Sequence, residues 1–158
     1  MEGIIHIRID DRLIHGQVAT MWTNNLGATR IMVINDEVAN NDLQKSVLRM
    51  AAPSNVSTSI ISRDTAVKNI SLGKYRGQRV FIVVKSPLDI LHLVNNGLDI
   101  KKVNVGNMSS HSNTEVLSPS VSVTPEEKEA FKELIDRGVE ITAIMTPTDP
   151  VVMFKEYL

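Results

Sequence analysis

The chain has 158 residues, 42% of them hydrophobic and 22% charged, with a formal net charge of −1 and no cysteine. That length supports one domain with a substantial core. The near-neutral charge leaves no electrostatic footprint for nucleic acid, the lack of cysteine excludes disulfides and thiolate metal sites, and no apolar stretch approaches the ~20 residues of a membrane span. Met1-Glu2-Gly3 runs directly into a strand pattern, so no signal peptide is expected and the chain reads as cytoplasmic.

Ile5, Ile7 and Ile9 alternate with His6, Arg8 and Asp10, the period of a β-strand. The alternation stops at Asp10, and Asp11, Arg12, His15 and Gly16 follow before Val18, Met21, Trp22 and Leu26 take up helical spacing. Arg30–Ile34 predicts a second strand, and Asn40 or Asn41 caps a helix with Leu43, Val47, Leu48 and Ala51 on its inner face. Val56–Ile61 predicts a third strand, followed by a short helix that Gly73 closes. Arg79–Val84 is a nearly continuous apolar run, as in a parallel strand buried on both faces. Ser86-Pro87 opens the next helix, with Leu88, Leu91 and Val94 inward, and Val103–Val105 is a short strand.

A long polar segment, Asn107 to about Pro119, then signals a functional or disordered loop, with short edge strands on either side of Pro119. Thr124-Pro125-Glu126-Glu127 is a capping box before a helix ending at Gly138, and Val139–Ile144 is the last strand. Strands alternating with helices predict an α/β fold. It would be a single domain over residues 1–158, with a mainly parallel sheet between two helical layers and room for an antiparallel hairpin at its edge.

The turn between the first strand and first helix holds the chemistry. In open α/β sheets ligands bind beyond the carboxyl ends of the strands. A histidine three residues after an arginine there suits work on a phosphate. Free imidazole titrates near about 6.5, so the neutral ring is a nucleophile at physiological pH. A guanidinium supplies a bidentate, permanently charged fork for phosphoryl oxygens. Backbone amides at the start of the helix near Gly16 add donors.

RIDDRLIHGQV, Arg8 to Val18, resembles the active-site signature of the mannose/fructose/sorbose family of IIB subunits of the phosphoenolpyruvate-dependent sugar phosphotransferase system. INDEVANNDLQKSVLRMAAP, VKSPLDILHLVNNG, VNVGNMS and VSVTPEE followed by EAF resemble further family segments, so the resemblance spans essentially the whole chain. It implies a phosphocarrier in which His15 accepts a phosphoryl group from a IIA partner and passes it to a hexose-type sugar held by a IIC/IID membrane complex, with Arg12 as its basic partner. The family suggests Nδ1 as the phosphorylated nitrogen. Relatives tend to carry a glycine- and lysine-containing loop where this chain has Ser109–Asn113, so no role carries over to that loop. No cofactor and no metal are implied, location would be peripheral to the membrane through IIC/IID, and self-association stays open.

Asp10 or Asp11 is expected to orient Arg12 or accept a hydrogen bond from the imidazole. Gln17, Arg8, Asn35, Asp36 and Ser86 are candidates for the rim, Arg8 with the polar face of a strand as its equal alternative. His6 is expected to be a satisfied strand residue, and His92 and His111 surface positions. Two rival functions remain: a Mg-dependent phosphohydrolase built on Asp10, Asp11 and Asp36 with His15 as acid/base, and a non-catalytic binding module. The glycine fingerprints of nucleotide sites are missing.

Overall fold

Short runs rich in isoleucine and valine become a six-stranded parallel sheet in the computed structural model, which describes residues Met1–Leu158. In chain order the elements are β1 (Ile4–Asp10), α1 (Gly16–Leu26), β2 (Arg30–Ile34), α2 (Asp36–Ala39), α3 (Asp42–Ala51), β3 (Ser57–Ile61), α4 (Arg63–Ser71) and β4 (Val80–Val84). They continue with α5 (Pro87–Asn95), β5 (Lys102–Asn107), β6 (Glu115–Ser118), β7 (Val121–Val123), α6 (Pro125–Asp136), β8 (Glu140–Ala143) and a terminal 3-10 turn, Phe154–Tyr157. The sheet order is β3-β2-β4-β1-β5-β8, and every neighbouring pair is parallel. β6 and β7 form a separate antiparallel hairpin.

The chain leaves β1 and β2 toward one edge of the sheet, and leaves β3, β4 and β5 toward the other. Right-handed crossovers then put α1, α2 and α3 on one face and α4, α5 and α6 on the opposite face. The core divides the same way. Ala66 and Ile70 of α4, Ile90 and Leu93 of α5, and Phe131 and Leu134 of α6 pack against Ile7, Ile9, Ile82 and Val84. Ala19 and Trp22 of α1 and Val38 of α2 pack against Ile31, Val33, Phe81 and Val83. β4 feeds both layers and is buried throughout, which explains its unbroken apolar sequence. The serine cap at Ser86 and the capping box at Thr124/Glu127, each followed by proline, start α5 and α6 as expected, and Asp89 completes a second capping box at Ser86.

Four local expectations change. On α5 the buried stripe is Pro87, Ile90 and Leu93, one position round the helix, and Leu88, Leu91 and Val94 are only partly buried. Asn41 caps α3, but Leu43 and Val47 are 74% and 56% exposed; the buried place belongs to Val38 of the intervening helix α2, and α3 touches the core only through Leu48 and Ala51. Met21 is likewise exposed while Trp22 is buried, so α1 turns a narrower face inward. His6 packs as a strand residue but is not satisfied. It stacks on Trp22 with ring centroids 4.8 Å apart, and its Nε2 is buried without a partner.

Burial chiefly, then the charges of Arg8 and Lys102, lowers the His6 pKa to about 4. The unfolded chain takes up this proton near 6.5, whereas the folded ring stays neutral down to about 4. His6 therefore leaves stability intact above the first value and lowers it as pH falls toward the second, by at most about 3 kcal/mol. Thermal unfolding of wild type and His6→Phe between pH 7 and 4 checks this. The variant, which keeps an aromatic stack, is expected to show the flatter profile; identical profiles would contradict the assignment.

Candidate functional site

β1 and β5 lie side by side, and the chain leaves their carboxyl ends in opposite directions. Such a switch point opens a crevice at the sheet edge, and the segment from Asp11 to His15 lies there. Its path is set by two apolar anchors. The amide of Leu13 donates to the carbonyl of Asp10 at 2.9 Å, and Leu13 and Ile14 are both buried against the α1 side of the sheet. Leu13 takes a left-handed conformation, φ 62°, that a non-glycine residue adopts at a cost of roughly 1–2 kcal/mol. Burial of its side chain offsets that strain, and the sharp turn throws His15 outward.

His15 is exposed and occupies the N-cap position of α1, where its ring makes no capping hydrogen bond. Its carbonyl accepts from the amides of Val18 and Ala19, while the amides of Gly16 and Gln17 have no such partner in this first turn. No acidic side chain stands in that turn to compete for an anion. Gly16 has φ 38° with open space where a Cβ would be, so glycine serves the backbone angle here.

Asp10 is 1% exposed and is the node of the site. Its Oδ1 accepts from the amide of Arg12 at 3.1 Å and from Arg12 Nε at 2.9 Å, and its Oδ2 accepts from Arg12 Nη2 at 2.8 Å. This side-on grip raises the Arg12 pKa, chiefly through the hydrogen bond, and leaves Nη1 free of any protein partner. Oδ2 of the same carboxylate also receives Arg8 Nη2 at 3.3 Å. Asp11 turns the other way: it accepts from the amide of Ser109 at 2.7 Å and from Asn107 Nδ2 at 2.9 Å, tying the loop to the end of β5. Neither carboxylate bonds the imidazole, and of the two it is Asp10 that orients Arg12.

Arg8 does not reach the rim; its guanidinium is buried beneath Asp10, against Asn104 of β5 and the Trp22 ring. Asn35, Asp36 and Ser86 stand at the same sheet edge but are engaged elsewhere. Asn35 caps α2 through the amide of Val38, and Asp36 accepts from the amide of Arg63. Ser86 caps α5 and donates to Glu127 Oε2 at 2.8 Å. The three carboxylates proposed for a magnesium cage thus serve three different structural bonds, and no group of His, Cys, Asp or Glu is placed to hold a metal ion. Asn104 and Met145 escaped the sequence reading. Asn104, a polar residue inside the apolar run Val103–Val105, was a legible signal; Met145, whose sulfur lies 3.7 Å from Arg12 Nη2 and whose carbonyl accepts from Trp22 Nε1, gave none. Beside Arg12 a groove of about 290 Å³ runs to Lys85, bordered by Leu13, Val38, Leu43 and Val47.

Residues 4–158 match the family model described as PTS system sorbose subfamily IIB component. The chain is 40% identical over 151 residues to the PTS system mannose-specific EIIAB component of Escherichia coli (strain K12), covering 96% of this chain and 47% of that protein, about half of its length. It is 36% identical over 158 residues to the PTS system fructose-specific EIIB component of Bacillus subtilis (strain 168), covering 100% of this chain and 97% of the relative. The crystal structure of the IIBSor domain of the sorbose permease from Klebsiella pneumoniae superposes with a TM-score of 0.93 at 35% identity, over 99% of this chain and 96% of that one.

Asp10→Asn would leave the buried Arg8 cation without its counter-charge, a loss of about 3–5 kcal/mol. Asp11→Asn breaks only hydrogen bonds at the loop surface, a loss of about 1 kcal/mol. Urea unfolding of both variants checks the order, and an Asp10→Asn protein as stable as wild type would contradict the clamp.

Proposed function

The chain belongs to the sorbose subfamily of IIB components of the phosphotransferase system, proteins with a role in sugar phosphotransfer, and from that premise we propose that His15 is its phosphoryl-carrying residue. The observation that carries this reading is an exposed imidazole at the head of α1, with Arg12 three residues earlier in the same loop and held by Asp10. A phosphohistidine on a IIA partner presents its phosphorus to the neutral His15 ring. A nitrogen lone pair of His15 forms the new N–P bond as the donor's N–P bond breaks and its electron pair returns to the donor imidazole. In the second step a sugar hydroxyl forms an O–P bond, the N–P bond to His15 breaks with its electron pair returning to the ring, and the hydroxyl proton passes to solvent.

Phosphoryl transfer asks the protein chiefly for position and charge neutralisation. Arg12 supplies the first through a fixed side chain and the second through its free Nη1 edge. The amides of Gly16 and Gln17 face the same anion from the helix start. Residues 1–158 act as one IIB domain, with a IIA domain or subunit as donor and a hexose-type sugar on IIC/IID as acceptor. No helix is long and apolar enough to cross a membrane. The protein works on the cytoplasmic side, reaching the bilayer through those partners.

Incubation with phosphoenolpyruvate, the general carriers and a IIA domain is expected to leave acid-labile, alkali-stable phosphate on the chain. His15→Ala should carry none, and Arg12→Gln should be phosphorylated about 100-fold more slowly. Magnesium-dependent release of free phosphate, or full labelling of His15→Ala, would refute the assignment.

A further inference from the structure

Arg12 and Asp10 taken alone form a neutral pair. A loop whose guanidinium is gripped by a carboxylate through both Nε and Nη2 would offer an incoming phosphoryl group shape but little net charge. The structure places a second cation behind the pair. Arg8 is 2% exposed, and its Nη2 donates to Asp10 Oδ2, the oxygen that also receives Arg12. Its remaining contacts are neutral: Asn104 Oδ1 at 2.6 Å, the carbonyl of Ile144 at 3.1 Å, the Met145 sulfur at 3.6 Å and the Trp22 ring, whose centroid is 5.1 Å from Cζ. Two further carboxylates act through space, Asp149 on Arg8 and Asp11 on Arg12; both are less buried than Asp10, and they accept from the amide of Thr146 and from Asn107 and Ser109 respectively. Two guanidiniums therefore share one buried carboxylate, and the three groups Arg8, Asp10 and Arg12 sum to a single positive charge.

The sequence also makes room for this cation. Gly106 lies on β5 beside Arg8, and a Cβ there would overlap the Arg8 guanidinium. The field of Arg8 is felt locally as well, as the second cause, after burial, of the lowered His6 pKa. Water screens such a buried charge far less than it screens a surface one.

We propose that Arg8 is a positioning residue for phosphotransfer, whose buried charge offsets Asp10 so that Asp10 fixes Arg12 without cancelling the positive charge presented at His15. This rests on His15 as the phosphoryl acceptor. Arg8 touches neither donor nor acceptor, so its removal acts on the chemical step and leaves partner binding alone.

The test is transfer from phosphorylated IIA, with kcat and KM resolved, in folded variants verified by thermal unfolding. Arg8→Met is expected to lower kcat about tenfold at unchanged KM for phospho-IIA, and Arg8→Lys to recover most of that loss. A folded Arg8→Met protein transferring at the wild-type rate would overturn the proposal. Should Arg8→Met not fold, Arg8→Lys and Gly106→Ala decide it: the first should transfer faster than the second, whose added methyl displaces the guanidinium from Asp10, and equal rates would overturn the proposal. His15→Ala run in parallel separates the two claims. If it still takes up phosphate, the underlying assignment fails; if it does not while Arg8→Met is unaffected, only the role of Arg8 fails.

Discussion

One buried carboxylate organises this site. Asp10 ends the central strand β1 and meets two arginines that the same strand and its following loop deliver at positions 8 and 12. Period-2 alternation puts Arg8 and Asp10 on the same side of the sheet, and the turn at Leu13 folds Arg12 back over them. A lone carboxylate or a lone guanidinium at that depth would be costly. Together they form a fixed platform from which Arg12 reaches the surface with its orientation already determined. The conformational cost of aiming a long, flexible side chain is thus met in folding and not when an anion arrives.

The rest of the fold serves that platform. On the α1 side, the β2-β4 region is filled by aliphatic and aromatic side chains, whereas the surface around β1, β5 and β8 holds Arg8, Asp10, Asn104 and Thr142. Trp22 closes this polar pocket from α1, stacking on His6, facing Arg8 and donating to Met145. Asp11 joins the loop to Asn107 and Ser109, so β5 supports the site from the other flank. Strand order explains why these groups meet: β5 pairs with β1 although three strands, β2, β3 and β4, and their helices lie between them in sequence.

Much of this was legible in the sequence. The strand-helix alternation, the helix caps and the continuous apolar run of β4 all act locally, and local rules predicted them. His15 and Arg12 stood out because a polar, charged turn interrupts two periodic segments. Partner choice was harder to read. Whether Asp10 or Asp11 holds Arg12, and whether Arg8 lies on the rim or beneath it, depends on contacts with Asn104, Gly106 and Met145, all more than ninety positions away along the chain. Asn35, Asp36 and Ser86 show the converse. They follow the ends of β2 and β4, but residues of this type at helix starts serve as caps and loop ties, and those bonds occupy them. Leu43 and Val47 had the right spacing for a buried stripe, and only the short helix ahead of them leaves them in solvent.

Phosphorus on the His15 ring would show itself as nitrogen–phosphorus coupling in the NMR spectrum of the phosphorylated, 15N-labelled chain. One-bond coupling of phosphorus to a ring nitrogen of His15 is expected, with the rings of His6, His92 and His111 uncoupled. Coupling to any of those three, or phosphate held on oxygen with no nitrogen coupling, would contradict that assignment.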